Sequence, residues 1–134
     1  MNEERLYEKL NDYKRACTRL ENAINITIED DIVYDGTIQR FEFTFELSWK
    51  LMKAFLEYTG ISEIRSPRAT IKEAFSYGLI DDGENWLEMM VDRNKTSHLY
   101  DEGEAKLIYE KIKNKYHYLL SQLAKKIETE LNQI

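Results

Sequence analysis

Leu6, Leu10, Tyr13, Cys17, Leu20 and Ile24 follow one another at alternating steps of four and three residues. That spacing places all six on one stripe of an α-helix, and no strand can bury them together. A stripe so regular needs a long helical neighbour lying nearly parallel or antiparallel to it. The chain therefore starts with a long amphipathic helix and commits the rest of the fold to helix packing.

The next segment, DDIVYDGTIQRFEFTFELSWKLMKAFLEYTG, contains a run, RFEFTFE, that alternates like a strand. The longer window decides against a strand. Ile38, Phe41, Phe45, Trp49, Met52 and Leu56 fall at helical spacing, and Phe43, Leu47, Leu51 and Phe55 form a second row beside them. A strand of this length would be abnormal. The segment is predicted to be a long helix ending at Gly60, a C′ glycine. Its apolar arc is wide. It suits either two buried contacts, one to the core and one to another subunit, or a central position within one chain.

Ser66-Pro67 reads as an N-cap followed by a first-turn proline, and Gly78 as the stop of a short helix ending at Tyr77. Asp82 caps a further helix carrying Trp86, Met89 and Met90. Asp101, with Glu104 three residues on, reads as a capping box opening a last long helix through Ala105, Ile108, Ile112, Leu119, Leu123, Ile127 and Leu131. The expectation is an all-α chain of five helices, three long and two short, forming one domain over residues 1–134.

Bulk properties narrow the function. The chain has 134 residues, a length that buries a core without disulfides or a structural metal. One cysteine, Cys17, rules out an internal disulfide framework and fits a reducing compartment. Its place on the first stripe makes it a core residue rather than a reactive one. The opening MNEERLYEKL has no apolar stretch, so no secretory signal is expected, and no run is long enough to cross a bilayer. A cytoplasmic protein with no membrane association is the expectation. The net charge of −6 repels nucleic acid at long range, so any such binding needs a local basic patch.

One stretch, RNKTSHLY at 93–100, carries chemistry. Residues five apart in a continuous helix lie roughly 140° apart around its axis. Arg93 and His98 converge only if the helix ends between them, and Thr96 and Ser97 are poor interior residues and good caps. With Arg93 and Asn94 in the last turn and His98 in the connection, a guanidinium and an imidazole reach one surface. Arg grips a phosphate through two parallel hydrogen bonds. His moves protons near neutral pH. Together they suffice to cleave RNA by attack of its 2′-hydroxyl, without a metal. The same residues also suit plain roles, Arg93 complementing a helix dipole and His98 packing in a loop. Arg65, Arg68, Lys72 and Lys95 are candidate RNA or nucleotide contacts. A metal site at His98, Asp101 and Glu102 is disfavoured, because no second histidine stands at ligand spacing. His117 reads as structural or as surface. Glu42, Glu46, Lys50, Lys53 and Glu57 read as charge pairs along one helix.

The blocks IQRFEFTFELSWKLMKAFLEYTG, SPRATIKEAFSYGLI, DDGENWLEMMVDRNKTSHLYDE and YHYLLSQL occur in this order over nearly the whole chain. In this the chain resembles the HEPN superfamily, and within it the nucleotidyltransferase substrate-binding proteins close to HepT-type toxins. The resemblance implies an up-and-down helical bundle that forms homodimers through the second face of the Phe-rich helix. It implies a ribonuclease motif matched by Arg93, Asn94 and His98, with no cofactor. It also implies a partner, a minimal nucleotidyltransferase acting as antitoxin, which adds AMP to the tyrosine of an R-x4-H-x-Y pattern. Tyr100 holds that position. A bulky anion there would fill a phosphate site and neutralise Arg93. The alternative is a non-catalytic subunit that holds a nucleotide or other substrate for the partner enzyme. The chain has neither a Gly-rich phosphate loop nor the paired carboxylates after a G-S motif expected of the nucleotidyltransferase itself.

Overall fold

The computed structural model describes residues 2–98 and 101–134. Among these there is no strand, and the helices run in the expected order: α1 (Glu3–Ile24), α2 (Ile32–Tyr58), α3 (Pro67–Tyr77), α4 (Gly83–Lys95), α5 (Glu102–Lys111) and α6 (His117–Asn132). A 3₁₀ turn, Thr96–His98, extends α4. A π-helical turn, Ile112–Tyr116, joins α5 to α6, so the last two form one rod interrupted by a wider turn. Counted as rods, the fold is five helices, three long and two short.

Local chemistry sets the ends. The Ala69 amide donates to Ser66 Oγ at 3.1 Å and the Asn85 amide to Asp82 Oδ1 at 3.2 Å, the two N-caps expected. Asp101 caps differently from the predicted box: its carboxylate accepts from the Gly103 amide at 2.6 Å. Gly60 and Gly78 take left-handed φ of 106° and 98°. Each lets the next amide reach back into the helix, Ile61 to the Leu56 carbonyl and Leu79 to the Ala74 carbonyl.

The helix α2 is central. It packs against α1, α3, α4, α5 and α6, which explains its wide apolar arc. Its RFEFTFE run is helical throughout. The arc also contains buried Thr37, Thr44 and Ser48, whose hydroxyls donate to carbonyls one turn back, at 2.7, 2.7 and 2.6 Å, so none is buried unsatisfied. Phe41 stacks on Tyr116 with centroids 5.6 Å apart, and Phe45 lies tilted against Trp86 at 6.5 Å. Phe43, by contrast, is 58% exposed. The six α1 stripe residues are all buried, Cys17 among them. Among the described residues no helix is long and apolar enough to cross a membrane.

The π turn has a cause in sequence. Ile108, Ile112, Tyr116 and Leu120 are all buried and stand four apart. In a strict α-helix each such step drifts about 40° around the axis. The wider turn absorbs that drift and keeps the row facing the core.

Candidate functional site

The helix α4 ends between Arg93 and His98, and side chains hold the end closed. Thr96 Oγ1 donates to the Arg93 carbonyl at 2.6 Å and Ser97 Oγ to the Asn94 carbonyl at 2.9 Å. These bonds occupy carbonyls that the helix leaves free at its C-terminus.

Arg93 turns toward α2. Its guanidinium lies 3.5 Å from Glu42 and 3.8 Å from Glu46, with the Arg93 side chain 23% exposed and that of Glu42 28%. Thr96 Oγ1 also lies 2.7 Å from Glu42, so its single proton is shared between that carboxylate and the Arg93 carbonyl. Among the described residues these glutamates form no ion pair along α2 with Lys50 or Lys53; they hold the motif's arginine from across the bundle instead. Glu46 additionally accepts from the Trp49 indole at 3.1 Å.

His98 turns the other way. It is exposed and opens into a cleft of about 520 Å³ between the end of α4 and α5, lined also by Asp92, Lys95, Glu104, Leu107, Ile108 and Lys111. Arg93 does not line this cleft. Within one chain the bend thus presents the two side chains to different neighbours, and no hydrogen bond joins them among the described residues. Asn94 is exposed beside them. Tyr100 lies outside the described residues. Arg65, Arg68 and Lys72 are exposed on the approach to α3 and on its surface, away from this cleft. Lys95 lines it.

Beneath the cleft lies a polar network that the sequence did not announce. Asp92, only 3% exposed, accepts from the Tyr116 hydroxyl, from Lys111 Nζ at 3.0 Å, and faces Lys95 Nζ at 3.9 Å. Glu88 accepts from Lys115 Nζ at 2.8 Å, lies 3.6 Å from Lys111, and stands 2.9 Å from the Tyr116 oxygen, whose single proton it shares with Asp92. The Lys115 bond, followed by that of Tyr116, pulls the Glu88 carboxyl down to about 2. Burial pushes the Tyr116 hydroxyl far above its ordinary value. The bond to Asp92 raises Lys111, which keeps its ammonium charged. The π turn delivers Tyr116 to both carboxylates, and Asp92 directly precedes Arg93, so the motif's helix is pinned from both sides. An acidic residue next to Arg93 was the only signal available in sequence, and its burial depends on the other helix. His117, next to the π turn, is partly buried. No cluster of three His, Cys, Asp or Glu side chains among the described residues is arranged for a metal ion.

Comparison with known proteins agrees with this architecture. Residues 8–129 match the family described as nucleotidyltransferase substrate binding protein like. A Haemophilus influenzae protein named "Probable ribonuclease HepT" is 36% identical over 104 residues, which span 72% of this chain and 71% of that protein. A solved Thermus thermophilus protein superposes with a TM-score of 0.76 at 31% identity, over 83% of this chain and 94% of its own. A Haemophilus influenzae structure, described as revealing the fold of a substrate-binding domain of a nucleotidyltransferase, gives 0.69 at 28%, over 95% and 99%.

Proposed function

Because the chain belongs to the HepT-like nucleotidyltransferase substrate-binding family, we propose that it is the toxin-like member of a two-protein system and cleaves RNA without a metal. One observation carries the reading. The helix bearing Arg93 stops so that His98 stands exposed in an open cleft with Lys95 and Lys111. In the reaction the RNA 2′-oxygen bonds to phosphorus and the bond to the 5′-oxygen breaks. His98 moves the proton between those oxygens. Arg93, once it leaves Glu42 and Glu46 for the phosphate, stabilises the negative charge that builds on the phosphoryl oxygens, and Asn94 orients the phosphate. The motif contains both functions that a metal would otherwise supply, proton transfer and charge stabilisation.

The partner is a minimal nucleotidyltransferase. It silences the protein by transferring AMP from ATP to the Tyr100 hydroxyl, with pyrophosphate leaving. The active form is a homodimer in which the exposed Phe43 of α2 meets a second copy.

A second reading is favoured by one specific contact. Arg93 is held by Glu42 and Glu46 rather than beside His98, which suits a subunit that binds a substrate for the partner and does not hydrolyse it. Incubation of the purified protein with RNA in EDTA, beside His98→Ala, separates the two. Cleavage by the native protein alone supports the ribonuclease. No cleavage by either, with both folded, leaves the binding subunit.

A further inference from the structure

The cleft beside His98 has two unlike walls. At about 520 Å³ it falls in the size range of small-ligand pockets, on the order of 300–1,000 Å³. One wall is apolar, formed by Ile108, which is buried, and Leu107, which is 67% exposed. The other is polar, formed by Lys95, Lys111 and His98 above the carboxylate of Asp92. Asp92 and Glu88 offset much of the Lys111 charge, and Lys95 is the cation left most open to an incoming anion. The Asp92 carboxylate is almost wholly buried and already accepts from Tyr116 and Lys111. It acts as a tether, drawing Lys111 and Lys95 toward the same mouth from α5 and α4. Lys95 remains 66% exposed at a loose 3.9 Å, so it can turn to a ligand at small cost. Glu104 makes one side of the cleft unfavourable for a phosphate and directs it toward the lysines.

We propose that this cleft holds one nucleotide unit, its base laid on Leu107 and Ile108 and its phosphate taken by Lys95, Lys111 and His98. The unit rests on the ribonuclease reading when it belongs to an RNA strand, where it neighbours the scissile phosphate. The same chemistry would also take a free mononucleotide. A base needs a flat apolar surface and tolerates many sequences on it, whereas the phosphate needs charge. The two walls supply these separately.

The test measures binding, so it does not depend on cleavage. A labelled single-stranded 2′-O-methyl RNA lacks the nucleophile and stays intact. Its anisotropy is followed in EDTA with the native chain, Leu107→Glu, Lys95→Glu and, as a charge control on a distant face, Lys125→Glu. AMP competes in a parallel series. The first two side chains are largely exposed, so their variants fold. Each should weaken binding by about tenfold, while Lys125→Glu stays within about twofold of native at moderate salt. Competition by AMP assigns the free nucleotide as a source, and strand binding without it assigns RNA alone. The proposal is overturned if the native chain binds neither probe, if Leu107→Glu binds like native, or if all three variants lose affinity equally. It is also overturned if Leu107→Glu loses the nucleotidyltransferase and keeps RNA, which would make the cleft a protein-docking face. Cleft-dependent binding with no cleavage of ordinary RNA would instead sink the ribonuclease and leave the nucleotide site standing.

Discussion

The Thr96 hydroxyl lies 2.7 Å from the Glu42 carboxylate across 54 positions of sequence. The same carboxylate faces Arg93 at 3.5 Å. One side chain of α2 thus fixes both the helix end and the arginine that precedes it. Glu42→Ala should lower stability by about 1–2 kcal/mol, since a hydrogen bond and a half-screened ion pair are lost together. Thermal unfolding should shift down by a few degrees. Glu42→Gln keeps an acceptor for Thr96 and removes the charge. It should recover most of the stability that Glu42→Ala loses, and a Gln variant as unstable as the Ala variant would assign that contribution to the ion pair with Arg93.

Asp92 and Tyr116 form the buried contact between α4 and the π turn. Asp92→Ala should cost about 2–3 kcal/mol, the range for a buried hydrogen bond to charged partners. Tyr116→Phe should cost about 1–2 kcal/mol. In urea unfolding the double variant should lose less than the sum, by at least about 0.5 kcal/mol. Simple additivity would mean that the two side chains do not act on each other.

Glu88 sets a pH dependence. Its carboxyl is held at about 2, below its ordinary 4.5. A depressed folded-state value means that the ionised form stabilises the fold above roughly pH 4.5, and that this contribution disappears as pH falls toward 2. Stability measured between pH 5 and pH 2 should therefore decline. Glu88→Gln should flatten that part of the curve. The side chain is 42% exposed, so added salt should shrink the effect. A Glu88→Gln curve parallel to the native one would assign the decline to other carboxylates.

Phe45 and Phe43 are two residues apart and should respond in opposite ways. Phe45 is buried against Trp86, and Phe45→Ala should cost about 3–5 kcal/mol. Phe43 is exposed, and Phe43→Glu should change the stability of a single chain by no more than about 0.5 kcal/mol. If α2 carries the dimer contact, Phe43→Glu becomes monomeric in light scattering. A dimer that survives the substitution places the contact elsewhere.

The helices were legible because their signals are local. Ser66, Asp82 and Gly78 act within a turn of where they stand, and the α1 stripe states its own period. The strand-like RFEFTFE was resolved only by reading past it, because two apolar rows on a central helix imitate alternation at short range. The site was legible in composition and not in direction. Nothing in RNKTSHLY says that Arg93 turns to α2 and His98 to α5, since the Glu42 and Glu46 carboxylates lie half a chain away. Asp92 was passed over for the same reason: an aspartate beside an arginine looks solvated until Tyr116 is brought against it. Tyr100, singled out through the family resemblance, lies outside the described residues.

The π turn at Ile112–Tyr116 is in effect a one-residue insertion carried inside a helix. Removing one residue there would restore α geometry and keep the two halves in phase, whereas forcing α geometry on all five residues would turn everything beyond by about 100°. Leu119, Leu123 and Ile127 would then swing off α1 and α2, or Ile108 and Tyr109 would. The same extra residue that seats Tyr116 against Asp92 is also what lets the two halves of the last rod obey different neighbours. In this chain the register of the core and the anchoring of the Arg93 helix are one inheritance, and neither can be edited without the other.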